Sequence, residues 1–215
     1  MTPAAVIFDC DGVIVDSEPI LFAALAENLR AHGLRLTSAQ MEHHFLGGTI
    51  TGVARTARTL GADLPATWVE DFYHTLYARL AENTPLIPGI ATVLDALDHA
   101  KIPYAVGSNG SLRKMQITLG QHPAVMARLQ TRLFSGQALG ILKPAPDLYL
   151  HAARALDTPP AHCVVVEDSP RGARAARAAG IRCFGFAQAH TGATLAAEGA
   201  TVFHDMAALP ALLGL

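Results

Sequence analysis

The chain reads as two kinds of hydrophobic pattern. In one, short apolar runs without alternation are separated by segments of helical period. Ala4 to Phe8 is apolar at every position, which suits a strand buried on both faces. Pro103 to Gly107, Cys163 to Val166 and Ile181 to Phe186 repeat the theme, with weaker strands at Leu133–Ser135 and Thr201–Phe203. Between them apolar residues return every three or four positions. Val93, Leu94 and Leu97 mark a helix from Ile90 to about Ala100, and another follows from Ser111 to Leu119. Leu148, Ala152 and Ala155 mark one from Pro146 to Leu156. Ser169 as cap, Pro170 in the first turn and Gly180 as stop bound a further helix, and Met206 to Leu213 closes the chain. Alternating strands and helices predict an α/β fold: a parallel sheet covered on both faces.

The second pattern runs from Glu18 to about Asn83 and contains no strand candidate. Pro19 begins a helix carrying Leu21, Leu25 and Leu29, with Gly33 as its end. Ser38 is the expected cap of a short helix through His44, broken by Gly47-Gly48. Val53, Ala57 and Leu60 mark a third helix, and Trp68, Phe72 and Leu76 a fourth. The expected organisation is therefore a core of residues 1–15 and 88–215, with an all-helical insert of residues 16–87 after the first strand.

Composition narrows the function classes. A chain that is 51% hydrophobic and 16% charged can fill a core, which argues against disorder. A net charge of −2 offers no electrostatic basis for binding nucleic acid or an anionic membrane. No apolar run is long enough to span a bilayer, and the start lacks a basic leader, so the cytoplasm is the expected location. Cys10, Cys163 and Cys183 form no CxxC pair and suit core packing. His43-His44 lacks further ligands at metal spacing, and Arg171, Arg174 and Arg177 read as a solvated helix face.

The chemistry lies where strands end. The first strand runs into Asp9 and Asp11, with Gly12 allowing a turn. The second ends in Ser108-Asn109, the loop after the third carries Lys143, and the fourth ends in Glu167-Asp168. In a parallel sheet these ends share one edge, where α/β folds bind ligands. Clustered carboxylates suit a hard divalent cation, foremost Mg²⁺, and a lysine with hydroxyl and backbone N–H donors suits a phosphate. Of the lysines at 101, 114 and 143, only Lys143 is placed where a phosphate ligand is wanted.

These motifs, Asp9-x-Asp11-Gly-Val, Ser108-Asn109, Lys143-Pro144 and Glu167-Asp168-Ser169, resemble in order those of the haloacid dehalogenase-like hydrolase superfamily. The similarity spans nearly the whole chain. It points to the subgroup of phosphoglycolate phosphatase, sugar-phosphate phosphatases and β-phosphoglucomutase, with a Rossmann-like core and a helical cap. The resemblance implies that Asp9 is a nucleophile forming an aspartyl-phosphate and Asp11 a general acid and base. It implies Mg²⁺ held by Asp9, Asp168, the Asp11 carbonyl and Glu167, directly or through water. It also implies that Ser108, Asn109 and Lys143 hold the phosphoryl oxygens.

Departures narrow the choice. Leu21 stands where the family's mutases carry a cap-hinge histidine, and Ile50 where they carry an arginine. The insert has no lysine for the Schiff base of the phosphonate-cleaving members, and Asp11 is absent from the dehalogenating ones. The expectation is a phosphatase acting on a small phosphorylated metabolite, a sugar or sugar-acid phosphate. Gly47, Gly48, Thr49 and Arg55 of the insert are the expected substrate-facing residues, with Gly47 a binding residue. The alternatives are a phosphosugar mutase and a non-catalytic phosphate- or metal-binding regulator. The assembly is expected to be a monomer or homodimer.

Overall fold

The computed structural model describes residues 2–45, 48–188 and 191–215. The chain falls into two compact units, Met1–Asp16 with Pro85–Leu215, and Ser17–Thr84.

The first unit is built on one sheet of six parallel strands. They are β1 (Ala5–Phe8), β2 (Tyr104–Ser108), β3 (Leu133–Ser135), β4 (Cys163–Glu167), β5 (Arg182–Phe186) and β6 (Thr201–Phe203), in the order β3-β2-β1-β4-β5-β6. The α/β architecture expected from the alternating pattern is the one observed. The missing in–out alternation has a direct cause. Val6, Phe8, Val106, Val164 and Val166 pack on one face of the sheet with Val93, Leu94 and Leu97. Ala5, Ile7, Ala105 and Val165 pack on the other with Tyr149, Ala152, Ala173 and Ala176. Both faces are covered, so neither accepts polar residues.

β1 is the pivot of this arrangement. Phe8 is in register with Val106 on one side and Val166 on the other, so the order of strands reverses around it. Reversal opens a crevice at the carboxyl ends of the flanking strands. Where the chain leaves and re-enters this unit, Asp16 N donates to Pro85 O at 2.9 Å.

Three helices of the core had no clear periodic signal: Pro123–Leu129, Gly136–Leu139 and Ala193–Ala197. Each is too short for two turns of apolar repeat. Arg174 and Arg177 keep half-exposed side chains, but they are not merely solvated, because both pair with Glu198.

The second unit consists of helices Glu18–Ala31, Ser38–Phe45, Ile50–Thr59 and Trp68–Glu82. Its core joins aliphatic side chains such as Leu25, Leu29, Leu76 and Leu80 to Trp68 and Phe72. Trp68 and Phe72 stack at 5.1 Å, and Trp68 Nε1 donates to Asn28 Oδ1 at 2.6 Å. One expected cap moves by a residue. Thr37, not Ser38, caps the second helix: its Oγ1 accepts from Gln40 N, while its own N–H donates to Gln40 Oε1. This reciprocal box satisfies two end donors at once, which Ser38 has no acidic or amide partner to do. Leu60 lies outside the third helix and is exposed, so the buried face there is Ile50, Val53, Ala54 and Ala57.

Candidate active site

Asp9, Ser108-Asn109 and Glu167-Asp168 lie at or just past the ends of β1, β2 and β4, and Lys143 comes from the loop after helix Gly136–Leu139. Asp9 follows β1, and its N–H donates to Val166 O at 2.9 Å, continuing the ladder one step past the strand. The chain then tightens. Gly12 adopts φ +74° and donates to Val15 O at 2.8 Å, while Cys10 O accepts from both Ile14 and Val15. A side chain at Gly12 would fail twice. The backbone conformation disfavours it, and a Cβ there would lie 1.9 Å from Asp168 Oδ2.

Lys143 is the centre of the cluster. Its ammonium lies 2.8 Å from Asp9 Oδ1 and 2.7 Å from Glu167 Oε1, with its side chain only 3% exposed. Burial pulls this lysine toward the neutral form, but the two carboxylates more than offset that and hold its pKa above the ordinary value. Burial also pushes the Asp9 carboxyl up, against the attraction of Lys143. Glu167 is fully buried and still held below its usual range, because Lys143 and the Ser169 donors outweigh its loss of hydration.

Glu167 is fully engaged by the protein. Oε1 accepts from Lys143 and from the Tyr149 hydroxyl at 2.9 Å. Oε2 accepts from the Ser169 N–H at 2.7 Å and its hydroxyl at 2.8 Å. The Lys143 ammonium also sits 4.8 Å over the Tyr149 ring. Tyr149 escaped the sequence reading. Its only signal is an aromatic residue beside Leu148 on the inward side of helix Asp147–Ala155.

Among the described residues, ligand atoms of Asp9, Glu167 and Asp168 lie within 4.8 Å of one another. Three carboxylates this close fit a hard divalent cation through oxygen. With Glu167 occupied by four donors, Asp9 and Asp168 are the carboxylates suited to direct ligation. The Asp11 carboxylate lies outside this group. Instead Lys114 Nζ contacts Asp11 Oδ1 at 2.7 Å, so a second lysine, which the strand-end argument passed over, belongs to the site. Burial opposes the charge on Lys114, and the Asp11 carboxylate more than restores it, so its pKa is raised.

On the other flank, Ser108 is buried and its Oγ accepts from Gly110 N at 3.0 Å. The Asn109 side chain is committed to the backbone of Lys143: Oδ1 accepts from its N–H at 2.8 Å and Nδ2 donates to its carbonyl at 3.1 Å. Its amide therefore positions the lysine. Ser135 Oγ donates to Gly110 O at 2.6 Å, tying the end of β3 to the same loop. Gly47 lies outside the described residues. Thr49 accepts from Gly52 N at 3.1 Å and caps helix Ile50–Thr59, on which Arg55 is exposed.

Known proteins are similar to this chain in sequence and in fold. A sequence model described as haloacid dehalogenase-like hydrolase matches residues 3–180. The chain is 31% identical over 210 residues to 6-phosphogluconate phosphatase of Escherichia coli strain K12, covering 97% of this chain and 93% of that protein. It superposes with TM-score 0.85 and 31% identity on a haloacid dehalogenase-like protein of unknown function from Agrobacterium tumefaciens, covering 98% and 97% of the two chains. A haloacid dehalogenase family hydrolase from Deinococcus radiodurans, solved with bound phosphate and sodium, gives TM-score 0.83 and 30% identity over 99% and 97%.

Proposed function

Because the chain belongs to the haloacid dehalogenase-like hydrolases and is a phosphomonoester hydrolase, we propose that it cleaves a small sugar or sugar-acid phosphate through a phosphorylated Asp9. The observation that carries this reading is the buried Lys143–Asp9 pair at the switch point of the sheet. A carboxylate nucleophile and a phosphate dianion repel each other. A lysine already seated on that carboxylate, with its charge secured by Glu167, offsets the repulsion where it arises.

In this reading an Asp9 oxygen attacks phosphorus, and the bond to the leaving oxygen breaks with its electrons passing to that oxygen. Asp11 supplies the proton that makes the departing group a neutral alcohol. It then takes a proton from the water that opens the acyl phosphate. Ser108, the backbone N–H groups after β2 and Lys143 hold the phosphoryl oxygens. Asn109 keeps Lys143 in place through its backbone.

The donor set supports a divalent cation, foremost Mg²⁺, held by the Asp9 and Asp168 carboxylates and the Asp11 carbonyl. When bound, such an ion supplies charge neutralisation at the phosphoryl group. Glu167 acts from behind, as the anchor of Lys143. The second unit is the proposed cap, with Gly47, Gly48, Thr49 and Arg55 selecting the substrate. Similarity to 6-phosphogluconate phosphatase supports a sugar-acid phosphate as the first substrate class to try. The three unpaired cysteines support action in the reducing cytoplasm.

The test is release of inorganic phosphate from a panel of phosphorylated sugars, polyols and sugar acids, with and without Mg²⁺, beside Asp9→Asn. Mg²⁺-dependent release that the variant lacks supports the reading. No release by folded, Mg²⁺-supplied protein rejects it.

A further inference from the structure

We propose that Lys114 is a positioning residue that aims Asp11 at the leaving oxygen of the substrate. The inference rests on the phosphatase reading above, because it assigns Asp11 the proton transfer.

Three observations converge. Lys114 Nζ lies 2.7 Å from Asp11 Oδ1, and both side chains are largely withdrawn from solvent, at 16% and 25% exposure. The lysine is held on a framed element. Ser111 caps helix Leu112–Gly120 by accepting from the N–H of Lys114 itself, which fixes the backbone that carries the ammonium. The third observation is what surrounds Gly110. A Cβ built there would have Ser108 Oγ at 3.3 Å, Asp11 Oδ2 at 3.7 Å and Lys114 Cδ at 3.8 Å. The proposed phosphate-binding hydroxyl, the acid and the lysine stem thus meet at one place beside Gly110.

The geometry divides the work of the Asp11 carboxyl between its oxygens. Oδ1 accepts from Lys114. Oδ2, on the side of Gly110, is the oxygen assigned to the proton transfer. Without the lysine, the carboxyl turns about its side-chain torsions and Oδ2 loses its fixed aim. Orientation of this kind matters steeply, since a displacement of about 1 Å can reduce a rate about 10²-fold.

A merely structural role and a positioning role are separated by the leaving group. An alkyl phosphate expels an alkoxide unless a proton arrives as the P–O bond breaks. p-Nitrophenyl phosphate expels a stabilised phenolate and needs no proton. The parameter to compare is kcat/KM, which ends at departure of the alcohol and excludes hydrolysis of the acyl phosphate. General acid catalysis contributes roughly 10²–10⁴-fold. Lys114→Met should therefore lower kcat/KM for the best alkyl ester of the panel by about 10–100-fold, and for p-nitrophenyl phosphate by less than about threefold. Asp11→Asn should show the same selectivity, and adding Lys114→Met to it should cause little further loss on the alkyl ester. Lys114→Gln, polar but one bond too short to carry its amide to the position of the ammonium and without its charge, guards against a folding defect in the methionine variant and should show the same selective loss.

Equal losses on both esters, no loss on either, or full additivity of the two substitutions would overturn the proposal while leaving the phosphatase reading intact. Failure of the wild type on every ester would reject both.

Discussion

A Cβ placed on Gly172 would lie 1.6 Å from Glu167 Oε1 and 1.9 Å from its Cδ. The first turn of helix Pro170–Ala178 therefore leaves its side-chain space to the carboxylate that anchors Lys143. Gly172→Ala must displace that carboxylate, its four donors or the helix start. Overpacking of this kind costs roughly 1–3 kcal/mol. We expect a lower urea midpoint at unchanged m-value, together with a loss of phosphatase activity exceeding about tenfold, since Lys143 moves with its anchor. Activity at wild-type level would show that the anchor is dispensable.

Tyr149→Phe removes one donor from Glu167 and keeps the ring beneath the Lys143 ammonium. Lys143 and both Ser169 donors remain on the carboxylate. A hydrogen bond to a charged group is worth about 1.5–3 kcal/mol. We expect destabilisation in that range in chemical denaturation. Catalysis should fall far less than in Lys143→Met, which also removes the cation from Asp9.

Cation binding at Asp9 and Asp168 has a readout independent of catalysis. Added Mg²⁺ should raise the thermal midpoint by mass action, with about 2.7 kcal/mol gained at a hundredfold excess over Kd. Asp168→Asn should lose most of that rise, and chelation of the wild type should abolish activity reversibly. An equal Mg²⁺-induced shift in Asp168→Asn would remove this residue from the ligand set.

Burial pushes the Cys163 thiol up to about 11 and the Cys183 thiol up to about 12, and holds Cys10 well above the ordinary thiol value. At pH 8 a disulfide reagent should label no cysteine in the native protein and all three after unfolding, because the thiolate is the reactive form. The raised values also set a sign. Between pH 9 and 12 the unfolded chain releases its thiol protons first, so these groups favour unfolding increasingly as pH rises. Melting temperature should fall across that window, and less so in Cys183→Ala after allowance for the altered packing.

Much of this protein is determined by its sequence alone. The unalternating run from Ala5 to Phe8 requires cover on both sides, and with helices between strands that means a parallel sheet. Once the strands are parallel, Asp9, Ser108, Glu167 and Asp168 follow at one edge, because the end of each strand is a local property. Helix starts were legible where side chain and backbone meet within a few residues, as at Ser169, and slipped by one where the partner was the Gln40 amide behind Thr37.

Tertiary structure decided the partnerships. Lys143 and Asp9 are 134 residues apart, and no local rule states that the lysine bridges Asp9 to Glu167. The burial of Glu167, its four donors, and the commitment of the Asn109 amide to backbone all depend on how loops after different strands converge. Tyr149 and Gly172 had no motif of their own, and no local pattern pairs Lys114 with Asp11. Their roles come from the close approach of elements distant in sequence, where a missing methyl group or one lysine decides which way a carboxylate points.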